Sequence, residues 1–282
     1  MLRALTNRFY TRMMGNNMDS DQIKEMVRTR YGGIAATPGA GDCCGPASSC
    51  CGDAAPGTPA DKSRQMGYSE VELTSVPEGA NLGLGCGNPQ AIAALRPGEV
   101  VIDLGSGAGF DCFLAAGQVG ATGRVIGVDM THEMLNKARE NAAKISAVNV
   151  EFRLGELEHL PVADNTADAV LSNCVINLVP DKEQVFREAF RVLKPGGRLA
   201  ISDVVNTTPL TPDLQEDTAL LCGCIAGAAP VARIETWLAQ AGFVDVRVTP
   251  KPESRDLIET WAPGTGVENF VVSATVEARK PA

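Results

Sequence analysis

The chain has 282 residues, 44% hydrophobic and 21% charged, a balance that excludes a mainly disordered protein and suits one large domain or about two average ones. It contains no apolar run of about 18 residues that could satisfy its own backbone across a bilayer, and its opening segment carries Arg3, Arg8 and Arg12 without the continuous apolar core of a secretory signal, so a cytoplasmic location is expected. With 25 Lys+Arg against 34 Asp+Glu, the formal charge of −9 repels a phosphate backbone and 5% aromatics leave little to stack bases on, which excludes nucleic acid as a substrate and points to a small molecule.

Residues 18–31 (MDSDQIKEMVRTRY) have the spacing of a helix, with Ile23, Met26 and Val27 on one face and acidic residues near its start. Residues 32–62 are rich in glycine and proline and hold Cys43, Cys44, Cys50 and Cys51, so a loop or arm without helix or strand is expected there. Ser69 and Glu72 are spaced as a capping box opening a short helix, and the glycine-rich NLGLGCGNPQ around Cys86 follows. From residue 99, short runs rich in Val, Ile and Leu (EVVIDLG, GRVIGVD, VEFRLG, ADAVLSN, GRLAISDVV) alternate with helical stretches at 109–119, 131–145, 181–194 and 231–241. This alternation predicts an α/β fold, a doubly wound, mostly parallel sheet. DVRVTPK (245–251) and ENFVVSATVEARK (268–280) are consecutive strands suited to an antiparallel edge. The organisation read from these patterns is an N-terminal helix and arm (1–66), a ligand-binding core (67–206), and a closing segment (207–282) for substrate.

The first core strand runs through Asp103 into Gly105-Ser106-Gly107-Ala108-Gly109 and a helix, where glycines allow a sharp turn and a close ligand approach. The second strand ends at Asp129, placed to accept from both hydroxyls of a ribose. The spelling is G-x-G-x-G, not the G-x-G-x-x-G of nicotinamide enzymes. With Asp103 upstream, it resembles motif I of the class I S-adenosylmethionine methyltransferases. VEFRLGELEHLPV (150–162) resembles that family's adenine-binding stretch, and RVLKPGGRLAISD (191–203) its later helix, turn and strand. The resemblance implies a Rossmann-like fold and S-adenosylmethionine as cofactor, held by Asp103, Gly105, Gly107, Gly109 and Asp129. It also implies that Glu156 and the backbone N–H of Leu157 bind the adenine, with Met130 over one of its faces.

The acceptor of the methyl group is sought among nucleophiles. The two histidines, His132 and His159, are expected at the surface, which leaves little for a general base. Nine cysteines, odd in number and clustered, fit a disulfide framework poorly and soft-ion or redox chemistry well. Cys174 follows the fourth strand, Cys224 lies in an apolar, small-residue segment after the fifth, and Cys86 just precedes the core. Three thiols from three loops are thus expected to converge. SNCVINLVPDK (172–182), GCIAGA (223–228), GCGNP (85–89) and VRTRYGGIA (27–35) together resemble the arsenite S-adenosylmethionine methyltransferases. That resemblance implies As(III) held by Cys174 and Cys224, Cys86 in thiol exchange, thioredoxin or glutathione as reductant, and arsenic detoxification as the role. It implies a function for one of Cys43, Cys44, Cys50 and Cys51, either arsenic capture or none if the arm is dispensable; Cys222 stays open, and Cys112 is expected to be a small buried hydrophobe. The alternatives are a C- or O-methyltransferase of quinone or sterol type and a non-enzymatic arsenic-binding protein.

Overall fold

A computed structural model describes residues 18–37 and 57–282. Helix α1 (Ser20–Ala36) opens on a reciprocal capping box between Asp19 and Gln22. It continues beyond its expected end at Tyr31 because Ile34 and Ala35 are buried with Met134, and that burial outweighs the helix penalty of Gly32 and Gly33. The segment expected to be free of helix also gives rise to α2 (Pro59–Gln65), started by a Thr58/Asp61 capping box with proline in the first turn, where its missing N–H costs nothing. The expectations for Cys43, Cys44, Cys50 and Cys51 lie outside the described residues. Helix α3 (Glu70–Ser75) opens on the Ser69/Glu72 box as expected, and α4 (Gln90–Ala93) leads into the sheet.

Strand and helix then alternate: β1 (Val100–Leu104), α5 (Phe110–Val119), β2 (Arg124–Asp129), α6 (His132–Lys144), β3 (Val150–Leu154), β4 (Ala167–Asn173), α7 (Lys182–Val192) and β5 (Leu193–Asn206). An insert follows with α8 (Pro212–Glu216), α9 (Thr218–Cys222) and the two-residue β6 (Ala229–Pro230). The chain then closes through α10 (Val231–Ala241), β7 (Val244–Lys251), α11 (Arg255–Glu259) and β8 (Val271–Arg279). The strand order is β3-β2-β1-β4-β5-β8-β7, with β6 paired to β5. All pairs among β1 to β5 are parallel, while β8 runs antiparallel between β5 and β7, so the antiparallel element is inserted one strand in from the edge. The central strands are buried on both faces, with Ile102, Leu104, Ile126 and Leu171 fully enclosed, which is why they read as continuous apolar runs.

The sheet order reverses between β1 and β4, and the crevice beyond their carboxyl ends is the expected ligand position in this architecture. A separate apolar cluster caps that end. It unites Ile23 and Val27 of α1, Leu220 and Leu221 of α9, Val204 of β5 and the cysteines 86, 174, 222 and 224. Among the described residues no helix is long and apolar enough to cross a membrane.

Candidate active site

The β1–α5 turn shapes the first half of the site. Gly105 and Gly107 both have positive φ (71° and 50°) and line the crevice. A Cβ at Gly105 would stand 2.5 Å from the Val175 side chain, so only glycine lets β1 and the loop after β4 approach this closely. Gly109 has another role: it faces Phe113 and Phe152 in the core and turns the chain into α5. Asp129 accepts from the Gly107 N–H (2.9 Å) and the Thr131 N–H (2.8 Å), and burial raises its carboxyl against the pull of those bonds. Met130 and Leu157 line, with Asp129, a cavity of about 100 Å³.

A second cavity, about 90 Å³, continues from Gly105 and Gly107 toward Asp103, Ser106 and Asp111. Asp103 is raised well above the carboxylate range by burial and then by the charge of Asp111, and it accepts from the Cys112 thiol at 3.2 Å. Asp111 accepts from the Tyr68 hydroxyl at 2.8 Å. Ser106 Oγ is buried without a hydrogen-bond partner. Cys112 itself is fully buried in the core, as expected, and its bond to Asp103 is an addition to that reading.

Glu156 is not among the residues lining the crevice. Lys24 and Arg28 of α1 each reach one of its oxygens at 2.6 Å, and Lys24 also pairs with Glu158 at 3.2 Å; it is Leu157 and Glu158 that face the cavity. The partners lie far away in sequence, so nothing local signals them. His132 and His159 are exposed, as expected.

The third cavity, about 270 Å³, opens beside the thiols of Cys174, Cys222 and Cys224, with Tyr31, Leu84 and Trp261 among its walls. Cys86, Cys174 and Cys224 are all buried, and the Cys224 thiol donates to the Cys174 carbonyl at 2.8 Å. Cys86 Sγ, Cys174 Sγ and a carboxylate oxygen of Asp203 lie within 4.8 Å of one another. Burial pushes the Cys86 thiol up to about 11. The Cys174 thiol is drawn down by Cys224 but more strongly raised by Cys86 and burial, so the resting Cys86 and Cys174 thiols are neutral. Cys174 (φ 56°) and Cys224 (φ 64°) both occupy the left-handed region, which costs a non-glycine residue about 1–2 kcal/mol. None of the five described cysteines is joined in a disulfide. Tyr31 donates to the Cys222 carbonyl, which ties α1 to the same wall.

The profile of a methyltransferase domain family matches residues 95–242. The arsenite methyltransferase of Halobacterium salinarum is 54% identical over 271 residues, covering 94% of this chain and 68% of that relative. The chain belongs to the arsenite methyltransferase family. The family member of Aquipseudomonas alcaligenes is 44% identical over 171 residues, covering 58% of this chain and 49% of its own, so the matched part is about half of that protein. CrArsM, an arsenic(III) S-adenosylmethionine methyltransferase from Chlamydomonas reinhardtii, is similar in structure with a TM-score of 0.58 and 30% identity, covering 81% of this chain and 75% of that one.

In this arsenite methyltransferase family member, the motifs pointed to the thiols but not to the polar groups beneath them. Asp203 accepts from Ile176 N (2.9 Å), Asn177 Nδ2 (2.9 Å) and Val204 N (2.8 Å), and burial lifts it to about 6. Lys182 is buried with its ammonium on the Val179 carbonyl at 2.9 Å and is lowered by burial to about 8. Asp203 closes the RVLKPGGRLAISD motif near the carboxyl end of β5 and Lys182 closes SNCVINLVPDK after β4, and these places at the carboxyl ends of parallel strands were the available signal.

Proposed function

We propose that the enzyme transfers the methyl group of S-adenosylmethionine to trivalent arsenic held by Cys174 and Cys224, with Cys86 as a third, exchanging thiol. The observation that carries this reading is the grouping of three buried cysteines, with Cys86 Sγ within 4.8 Å of Cys174 Sγ and the Cys224 thiol on the Cys174 carbonyl at 2.8 Å, at a cavity wall that the glycine-turn crevice shares through Cys174. S-adenosylmethionine is the methyl donor, and when bound it supplies an electrophilic methyl on a positively charged sulfur. The residues present fit that group. Asp129 offers a half-buried acceptor for ribose hydroxyls, Ser106 Oγ is an unpartnered polar atom awaiting a ligand, and the neighbouring buried carboxyls of Asp103 and Asp111 suit an ammonium. Met130 and Leu157 supply apolar walls for the adenine.

Trivalent arsenic is soft and prefers sulfur to carboxylate or imidazole. Neutral thiols exchange with the hydroxyl groups of arsenite, each exchange releasing one water, so no net proton has to be removed. The thiol-bound arsenic keeps a lone pair and needs no general base, in accord with two exposed histidines. The work of the chain is then to hold the acceptor in place and keep the apolar cluster dry. Gain of a methyl cation formally oxidises arsenic by two electrons, and two thiols closing to a disulfide, with loss of two protons, return them. An external thiol system, thioredoxin or glutathione, then reduces the disulfide. A site that works through reduced thiols suits a reducing, cytoplasmic setting, and methylation of arsenite suits a detoxifying role. Residues 67–206 supply the cofactor crevice and 207–282 supply Cys224, while the arm of 1–66 adds α1 as a cover.

The experiment is release of S-adenosylhomocysteine by the purified full chain given arsenite, a quinone or catechol, or no acceptor, with methylated arsenic separated by chromatography and detected as the element. Release with arsenite alone is expected. Release with the quinone and none with arsenite would move the enzyme to the small-molecule C- or O-methyltransferases.

A further inference from the structure

Cys174 sits between two asparagines in Asn173-Cys174-Val175-Ile176-Asn177, and each asparagine reaches out to one of the other two thiol-bearing residues. Asn173 Oδ1 accepts the backbone N–H of Cys86 at 3.0 Å, while its Nδ2 donates to the Gly87 carbonyl at 2.9 Å and to the Tyr68 hydroxyl at 3.0 Å. Asn177, buried at 3% exposure, donates through Nδ2 to the Cys224 carbonyl (3.2 Å), to Asp203 Oδ1 (2.9 Å) and to the Val204 carbonyl (2.6 Å). The loops they fasten are 87 and 47 residues away in sequence. Both bonds end on backbone atoms of the cysteine itself, so each fixes the base of a thiol side chain.

We propose that Asn173 and Asn177 are positioning residues that set the spacing of the three thiols, Asn173 fixing Cys86 and Asn177 fixing Cys224, each relative to Cys174. This rests on the reading that those thiols hold arsenic. Strained backbone persists only where its surroundings over-determine it, and the left-handed Cys174 and Cys224 need such restraint. The Asn177 bond to the Cys224 carbonyl and the Cys224 Sγ bond to the Cys174 carbonyl at 2.8 Å supply it from both sides. The two clasps are separable in substrate terms. A ligand with one carbon on arsenic, such as phenylarsine oxide, has two exchangeable positions and uses Cys174 and Cys224; arsenite has three and also uses Cys86. Asn173 therefore governs the third thiol, and Asn177 governs the pair.

The test uses the full chain with Cys43→Ser, Cys44→Ser, Cys50→Ser, Cys51→Ser and Cys222→Ser as the parent, so that Cys222, which lines the same cavity, adds no sulfur to the count from Cys86, Cys174 and Cys224. The sulfur number around bound arsenite is read by X-ray absorption, and phenylarsine oxide affinity by the fluorescence of Trp261 in the cavity wall. The parent should show three sulfurs. Asn173→Ala should show two, with phenylarsine oxide affinity changed by no more than about twofold, within the range of a single weak contact. Gly85→Ala should reproduce this with both asparagines in place, because its methyl would stand 2.6 Å from Asn173 Nδ2 and displace the amide from the other side. Asn177→Ala should weaken phenylarsine oxide by about tenfold, the worth of one hydrogen bond; Asn177→Ser, whose hydroxyl is too short to span to Cys224, is the milder variant should the first not fold. Three sulfurs and unchanged affinity in all variants, or the same loss in both groups, would overturn the proposal. A parent with no arsenic–sulfur bonds would overturn the thiol reading as well, and is distinguishable because it precedes any asparagine substitution.

Discussion

Glu156 is held by the N-terminal helix, and its energetics can be separated from cofactor binding. Lys24 and Arg28 each sit 2.6 Å from a carboxylate oxygen, with side-chain exposures of 14% for Lys24, 37% for Arg28 and 31% for Glu156. Fully exposed pairs contribute about 0.2–1 kcal/mol; two cations converging on one half-buried carboxylate put the loss for Glu156→Gln at about 1–2 kcal/mol, and the Lys24–Glu156 coupling alone at about 1 kcal/mol. The assay is a double-mutant cycle of Lys24→Met and Glu156→Gln in chemical unfolding.

The pH dependence has a definite sign. The hydrogen bond from Lys24 holds the Glu156 carboxyl below its ordinary value against burial, so its contribution is present above the unfolded carboxylate pKa and is lost as pH falls through the depressed folded one. For Lys24, burial disfavours the charge, but the bonds and charges of Glu156 and Glu158 outweigh it and raise its pKa. Its contribution is present below the unfolded lysine pKa and is lost as pH rises through the raised folded value. The coupling should therefore hold at neutral pH, vanish in acid, and shrink in about 0.5 M salt, where the screening length is only a few ångströms. Because α1 lines the crevice through Lys24, Val27 and Tyr31, both single substitutions should weaken S-adenosylmethionine in parallel. Zero coupling at neutral pH would refute the reasoning. So would a cofactor defect in Glu156→Gln with none in Lys24→Met, since Glu156 would then act on the cofactor directly.

Asp129→Ala removes a charged acceptor suited to two hydroxyls, each such bond worth about 1.5–3 kcal/mol, and should weaken S-adenosylmethionine at least tenfold in calorimetric titration while arsenite still binds. Cys174→Ser and Cys224→Ser should each abolish arsenite methylation at normal circular dichroism, a hydroxyl being too hard a ligand, whereas Cys112→Ser, in the core on Asp103, should lower thermal stability more than turnover. Lys182, lowered to about 8 by burial, binds fewer protons folded than unfolded between that value and its ordinary 10.5, so stability gains from it as pH rises through this window. Lys182→Met should remove that rise in unfolding measurements across the window, and an identical alkaline slope would count against the buried ammonium.

What could be read in advance had short-range causes. The Ser69/Glu72 capping box spans three residues, the glycines of the β1–α5 turn are neighbours, and buried parallel strands announce themselves by uninterrupted Val, Ile and Leu. What could not be read depends on partners brought together by the fold. The length of α1 is decided by Met134, more than ninety residues away, against the local vote of two glycines. Glu156 is claimed by a helix 128 and 132 residues earlier, although its neighbours resemble an adenine-binding stretch.

The thiol site combines both kinds of cause. Each cysteine stands in a motif with a recognisable spelling, so the chemistry of sulfur was legible, but cysteine has no preference for the left-handed conformation that two of them adopt. That conformation is imposed from outside, by Asn177 and Asp203 holding the turn after β4 and by the Cys224 thiol closing on the Cys174 carbonyl. A buried asparagine that donates to three acceptors would be read from sequence as an ordinary turn residue. Its value appears only when the acceptors are seen to belong to different loops. The backbone energy stored at Cys174 and Cys224 is then what keeps two sulfurs facing one cavity, and the polar groups beneath them are part of the site because they keep that strain from relaxing.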